Sequence, residues 1–325
     1  MGVLVYVENV EGKFKKSTFE LISYGFALAQ KLGSSVTALS IGEVGDEELQ
    51  KLSQYGATKI LSAKNDRLKT VNVQPFAAVI AEATKAEGSK VVVLSASFSG
   101  KAIAARVAVK LEAGLGENVV EIPDTSNGFI VKKGAYSGKA FALVQITSDI
   151  KVISVVANSF KVIENKVSGE INAFSPPLND NDFKLTVKET IRATDKISLP
   201  DAELVVSAGR GMKGPEHWGM IEELAGILGA ATACSKPVSD AGWRPHSEHV
   251  GQTGIAISPN LYVAIGISGA IQHLAGVSSS KVIVVVNKDA EAPFFKAADY
   301  GIVGDAFEVV PKLIEAAKKF KSGHN

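Results

Sequence analysis

The sequence predicts an α/β fold in two domains: an N-terminal parallel-sheet α/β domain with a β extension, and a C-terminal Rossmann-like domain. Three observations predict it. Short apolar runs alternate with amphipathic helical patterns through the first 113 residues, and the same rhythm restarts near residue 203. Runs such as KVVVLSAS, LYVAIGI and KVIVVVN are apolar throughout, as strands covered on both faces are. The length, 325 residues, is that of about two average domains.

The elements follow in order. VLVYVE (Val3 to Glu8) reads as the first strand. Ser17 and Glu20 have the spacing of a capping box, and Leu21, Leu28 and Leu32 share one face of the helix behind them. SVTALSIG is the next strand, and DEELQKLSQYG a helix ended by Gly56. KILSA, a helix around Phe76 to Lys85, KVVVLSAS and a helix from about Gly100 to Ala113 complete the alternation. From Asn118 to Ile163 glycines and β-branched runs predict antiparallel hairpins, including KVISVVA. Residues 168–200 hold Pro176-Pro177, an NDND run and one strand-like piece, KLTVKETI. A boundary is expected between Asp195 and Pro200, giving domains over 1–197 and 198–325.

In the second half ELVVSAG is a strand. Pro215 suits a first helical position, with Met220, Leu224, Ile227 and Leu228 as the apolar face behind it. LYVAIGI and KVIVVVN read as central parallel strands. The last helix presents Val309, Val310, Leu313, Ile314 and Ala317.

Composition narrows the function. A formal net charge of +1 without a basic block argues against nucleic acid or an anionic membrane surface. A single cysteine, Cys234, excludes an internal disulfide and suits a reducing compartment. The opening residues lack the features of a secretion signal, and no run approaches the roughly 20 apolar residues of a membrane span. A cytoplasmic protein, or one already processed, is expected. All five histidines, both tryptophans and the cysteine lie beyond residue 215, so chemistry is expected in the second half and scaffolding or partner contact in the first.

Five motifs there carry chemistry. Gly209-Arg210-Gly211-Met212-Lys213-Gly214 matches G-x-G-x-x-G after a strand, which suggests a pyrophosphate beside a guanidinium; the alternative is a tight glycine turn without ligand. Cys234-Ser235-Lys236-Pro237 follows the next strand, where Ser235 can bond a ligand and Lys236 can place a charge beside it; otherwise it is a loop with a solvated lysine. Gln252 and Thr253 lie between Gly251 and Gly254, whose missing side chains let backbone approach a planar ligand. LYVAIGI breaks at Ser268-Gly269 into a helix carrying Gln272 and His273 in its first turns, where free N–H groups and the positive helix end favour negative charge. Asn287 and Asp305 end two further strands, at the carboxyl edge where open α/β sheets bind ligands. Asp305 reads equally well as the cap of the helix at Phe307. His217, His246 and His249 show no comparable set of neighbours and are expected to be packed or exposed. No HxxxH or HExxH spacing suggests a metal, and neither a GxSxG nor a P-loop is present.

VVSAGRGMKG, CSKPVSDAG, VGQTG, AIGISGAIQHLAG and VNKDAEAPFFKAADYGIVGD occur in the order seen in the α subunit of bacterial electron transfer flavoproteins. The chain resembles that family closely over residues 203–311 and more loosely before them. The resemblance implies an electron carrier without substrate turnover of its own. It implies one FAD on the C-terminal domain, and a β subunit that completes a heterodimer and holds AMP. Electrons would come from acyl-CoA dehydrogenases of fatty acid β-oxidation and leave to a membrane quinone oxidoreductase, with this chain itself not membrane-inserted.

Carried over residue by residue, Arg210 meets the FAD phosphates or the flavin. Ser235, Lys236, Val250, Gly251, Gln252 and Thr253 contact the cofactor, with Thr253 by the flavin N5 and His273 at the O2 edge. Ser268, Gly269, Ala270, Ile271 and Gln272 line the phosphate and ribityl region, and Asn287 and Asp305 serve the adenosine half. Lys236 departs from the family, which often has arginine there; lysine keeps the charge and loses the planar fork. His273, the helix end and Lys236 together are expected to stabilise negative charge on the reduced ring. The alternatives are an electron-bifurcating complex with a second FAD in the β subunit, and an NAD-dependent dehydrogenase. The latter wants an acidic residue ending the second strand, and the nearest is Asp240, beyond Pro237.

Overall fold

The computed structural model describes residues 2–136, 139–190 and 197–323. The chain forms two compact units, Met1–Ala135 with Phe141–Arg192, and Tyr136–Ala140 with Ala193–Asn325. The expected boundary between Asp195 and Pro200 falls partly on 191–196, outside the described residues.

The first unit carries strands β1 (Gly2–Val7), a two-residue hairpin β2 (Asn9–Val10) and β3 (Lys13–Phe14), β4 (Val36–Ile41), β5 (Ala57–Ala63), β6 (Ser89–Ser95), β7 (Gly114–Val119), β8 (Ile130–Ala135), β9 (Ala140–Gln145), β10 (Lys151–Val155) and β11 (Glu170–Ala173). Its helices are α1 (Lys16–Lys31), α2 (Asp46–Gln50), α3 (Val73–Ala86) and α4 (Phe98–Lys110). Nine strands form one sheet in the order β11-β5-β4-β1-β6-β10-β7-β8-β9. The two faces divide β1 by its period of two: Val3, Val5 and Val7 pack with Leu21, Ile22 and Leu28 of α1, while Leu4 and Tyr6 pack with Phe76 and Ile80 of α3 and Ile103 of α4.

Four details depart from the sequence reading. KVISVVA is no hairpin: β10 runs parallel to β6 and β7 in the middle of the sheet, because Val152, Ile153, Ser154 and Val155 are all buried and an outer strand could not cover them. KLTVKETI forms no strand over its described residues; Leu185 and Val187 are exposed, and the strand of this region is β11, parallel to β5. The Ser17–Glu20 capping box does not form. Lys15 is the N-cap without a side-chain bond, and the buried Glu20 carboxylate instead accepts the N–H groups of Asn158 and Phe160, both at 3.0 Å. The helix ended by Gly56 is α2 followed by a 3₁₀ turn, Lys51–Tyr55, with Gly56 at φ +115°.

The second unit carries β12 (Leu204–Ala208), β13 (Ala231–Cys234), β14 (Leu261–Ile265), β15 (Val282–Asn287) and β16 (Tyr300–Val303), with helices α5 (Gly219–Leu228), α6 (Lys236–Asp240), α7 (Ile271–Val277) and α8 (Ala306–Ser322). All pairs in its sheet are parallel, in the order β13-β12-β14-β15-β16. Val206, Val263 and Val286 pack under α5 and α8 on one face; Val205, Tyr262 and Val285 pack against Val250, Val277 and Phe294 on the other. The chain leaves β12 first to one side and then to the other, so the loops after β12 and β14 diverge. That reversal is the place where open α/β sheets form a crevice.

Candidate cofactor-binding site

A half-open cavity of about 370 Å³ lies in that crevice, at the small end of the ~300–1,000 Å³ usual for small-molecule sites. Parallel registry sets the ends of β12, β13 and β14 at one level: Ala208 pairs with both Cys234 and Ile265. Buried Ser235, His249, Val250, Gly251, Ile267 and His273 form the floor. Exposed Arg210, Lys236, Gln252, Thr253, Ser268 and Gln272 stand at the rim. Among the described residues no carboxylate lines the cavity, so its net character is cationic at the edge and neutral inside.

Glycines make the walls thin. A Cβ on Gly209 would lie 2.3 Å from the Gly266 carbonyl oxygen, and one on Gly211 would lie 2.6 Å from the Gly266 Cα. The G-x-G-x-x-G run therefore serves close contact between two loops. It leads through Gly214 into a 3₁₀ turn, Pro215–His217, with Pro215 at its first position, and α5 follows from Gly219. On the other side Gly276 of α7 lets the loop 251–254 lie against the helix; its Cβ would meet the Gly251 backbone at 2.5 Å. The Gln252 N–H donates to the Gln272 carbonyl at 2.7 Å, which locks this loop to α7.

His273 occupies the third position of α7, deep in the floor and 7 % exposed. Its Nε2 is 2.8 Å from the hydroxyl of fully buried Tyr262, and its buried Nδ1 makes no close hydrogen bond. Burial pushes the ring down to about 4; neighbouring His249 adds to this, and the Val250 backbone opposes it. Burial also raises the Tyr262 hydroxyl. The imidazole is therefore neutral at pH 7. A neutral ring can act on negative charge in the cavity only through a hydrogen bond, with no charge of its own. A polar atom buried without a partner costs free energy unless something supplies one. The Val250 backbone lies beside the ring, and a hydrogen-bonding group at the cavity edge would be a further partner.

Lys236 turns its ammonium to Asp240, 2.9 Å from both carboxylate oxygens, on the exposed rim. Cys234, at the end of β13, is fully buried, and burial pushes its thiol up to about 12.

Four of the residues singled out from sequence do not line the cavity. Gly269, at φ +83°, passes under Phe294, where a Cβ would come within 2.5 Å. Ile271 points to solvent. Asn287 holds the floor from behind, donating to the Ile267 carbonyl at 3.0 Å. Asp305 caps α8 by accepting the Phe307 N–H at 2.9 Å, with Lys213 at 3.7 Å. The remaining eleven line one cavity, with Pro237, His249, Gly266 and Ile267. His249 is the important omission: expected to be packed or exposed without a role, it is 3 % exposed on the cavity wall. The sequence hid it because its neighbours there come from other elements. Its strand-like bridge is to Cys234, and its ring stacks on His246.

A flavin fits this donor set. A planar ring suits the glycine-lined walls, an acceptor on its edge would satisfy His273 Nδ1, and phosphates suit the Arg210 and Lys236 rim. No group of histidine, cysteine and acidic side chains that could hold a metal occurs among the described residues.

Comparison with known proteins agrees. Residues 3–179 match the electron transfer flavoprotein domain, and residues 198–278 match the electron transfer flavoprotein FAD-binding domain. Electron transfer flavoprotein subunit alpha of Bacillus subtilis is 36 % identical over 318 residues, covering 98 % of this chain and 97 % of that protein. The subunit alpha of Mycobacterium tuberculosis is 38 % identical over 322 residues, covering 98 % and 99 %. Protein FixB of Clostridium saccharobutylicum is 33 % identical over 326 residues, covering 99 % and 97 %. The chain belongs to the electron transfer flavoprotein α-subunit family, whose members carry electrons rather than turn over a substrate of their own.

Proposed function

We propose that this chain is the FAD-holding subunit of a cytoplasmic heterodimer, in which residues 198–325 cradle one FAD and residues 1–197 act as scaffold and contact for a β subunit holding AMP. Acyl-CoA dehydrogenases of fatty acid β-oxidation supply its electrons, and a membrane quinone oxidoreductase receives them. One observation carries the reading: a buried, neutral His273 whose Nδ1 makes no close hydrogen bond, at the floor of a glycine-walled cavity with two cations on its rim. The match of residues 198–278 to the FAD-binding domain supports the same cofactor. Among the described residues no helix is long and apolar enough to cross a membrane, which suits a carrier that meets its membrane partner from outside.

FAD supplies the redox chemistry when bound, accepting and releasing electrons one or two at a time. The residues do the rest. The Tyr262 hydroxyl lies 2.8 Å from His273 Nε2; donating there, it would leave the ring hydrogen on Nδ1. That N–H would donate toward the cofactor edge, a bond that counts for more where the surroundings screen little. Gln252 and Thr253, held to α7 by the Gln252–Gln272 bond, present polar groups on the opposite wall. Arg210 pairs with phosphate, for which a guanidinium fork is the better of the two rim cations. The test is the visible spectrum of the heterodimer co-expressed with its β subunit. Flavin absorbance at one FAD per α chain is expected; a colourless heterodimer that takes up no added FAD overturns the reading, and two flavins overturn its stoichiometry.

A further inference from the structure

We infer that His249, with its stacked neighbour His246, is where the cavity takes up a proton when negative charge arrives in it. The inference rests on the FAD reading above and adds a role for two histidines which that reading leaves idle.

Placement comes first. The His249 ring sits in the cavity wall under the loop that carries Gln252 and Thr253. A Cβ on Gly254 would lie 2.8 Å from its Cγ and Nδ1, and one on Gly251 would lie 3.4 Å from its Nε2. The Ile255 N–H donates to its carbonyl at 2.9 Å, and the Val250 N–H to that of Cys234 at 3.1 Å, so the ring cannot leave without unfastening the loop. On its other side the ring stacks on His246, centroids 5.3 Å apart and planes 24° apart. His246 is exposed, so the pair runs from solvent to the cavity wall.

Elimination comes second. Every other ionisable group facing this corner is committed. Arg210 stands on the rim as a guanidinium, and Lys236 and Asp240 are ion-paired with each other. Glu248 is held by Arg244 in a two-pronged pair at 2.7 and 2.8 Å. Cys234 stays a thiol, and the Tyr262 hydroxyl is held neutral by burial. His273 is sealed, with its Nε2 tied to Tyr262. His249 is held below the usual histidine range by burial, by His246 and by Lys236, with Asp240 opposing, so at pH 7 it is unprotonated and ready to accept. Negative charge in the cavity reverses part of that repulsion. The electron comes from the donor flavoenzyme and the proton from water at the His246 end, so the site's net charge is unchanged.

The experiment measures the potential of the first one-electron step in the FAD-loaded heterodimer from pH 5.5 to 8, beside His249→Gln and His246→Gln, with FAD content and thermal unfolding recorded for each. Wild type is expected to show a limb on which the reduction equilibrium shifts tenfold per pH unit, about 59 mV for a one-electron couple. His249→Gln removes that limb. His246→Gln keeps it and moves its bend to higher pH. A yellow, normally folded His249→Gln protein with the wild-type limb overturns the inference and leaves the FAD reading intact; a colourless wild-type heterodimer overturns the FAD reading. Should His249→Gln fail to fold, the C2–H resonance of His249 in wild-type protein decides: its titration midpoint rises on reduction of the cofactor, and an unmoved midpoint overturns the proposal.

Discussion

The two units put polar groups at the carboxyl ends of their parallel strands in opposite ways. In the first, the chain satisfies itself. Glu8, just past β1, accepts the hydroxyls of Ser97 at 2.7 Å and Ser99 at 3.1 Å beyond β6, and Glu20 accepts two backbone N–H groups. A carboxylate of the protein thus stands at the start of α4, where a bound anion would otherwise find the positive helix end. In the second, the same edge is left open, with cations outside and, within, an imidazole nitrogen that makes no close hydrogen bond. One sheet architecture therefore gives a closed scaffold or a receptor, according to whether the loops supply their own counter-groups.

The contrast can be broken most forcefully at Gly276. A Cβ there would meet the Gly251 backbone at 2.5 Å, and backbone cannot rotate away. Gly276→Val is expected to cost about 3 kcal/mol and to abolish FAD retention, read by thermal unfolding and by bound flavin; full flavin content would show that the cavity does not depend on this contact. Next comes Glu20→Ala, which removes the acceptor of two half-buried N–H groups in the scaffold. A loss of about 2 kcal/mol in denaturant unfolding, with FAD uptake unchanged, is expected; unaltered stability would show that the first unit is not self-satisfied as described.

Acid sharpens the contrast more gently. His273 is lowered from 6.5 to about 4 in the folded chain, so the unfolded chain binds more protons between those values. Stability is complete above pH 6.5, falls as pH drops through this window, and levels below 4. Acidification from 6.5 to 5.5 is expected to cost up to about 1 kcal/mol, in the second unit and less when FAD is bound. His273→Gln should flatten this limb, and an unchanged acid profile would show that the ring is not held neutral. The smallest effect is expected at the rim. Lys236 and Asp240 form an exposed pair, so Lys236→Ala should change stability by less than about 0.5 kcal/mol while weakening FAD binding; a larger loss of stability would make the pair structural.

What could be read in the sequence follows the range of the interactions. Apolar periodicity gave both sheets and nearly all helices, because burial on one face or two writes itself into neighbouring residues. KVISVVA was misread because only its partners, β6 and β7 on either side, make it central. KLTVKETI had the alternation of a strand and no sheet to join. At the site, motifs after strands found the loops that meet, since β12, β13 and β14 must end together. They could not tell a group facing the cavity from one behind it: Asn287 and Asp305 sit at strand ends yet spend their side chains on Ile267 and Phe307. His249 escaped for the converse reason, having no motif of its own and a place set by its bridge to Cys234 and by the loop folding back over it.

The single sulfhydryl has one more consequence. Peroxides and alkylating agents attack the thiolate, and at Cys234 that form is scarce at any pH near neutrality, since burial pushes the group up to about 12. The only thiol of the chain is thus kept chemically quiet at the end of β13, next to Ser235 of the cavity floor.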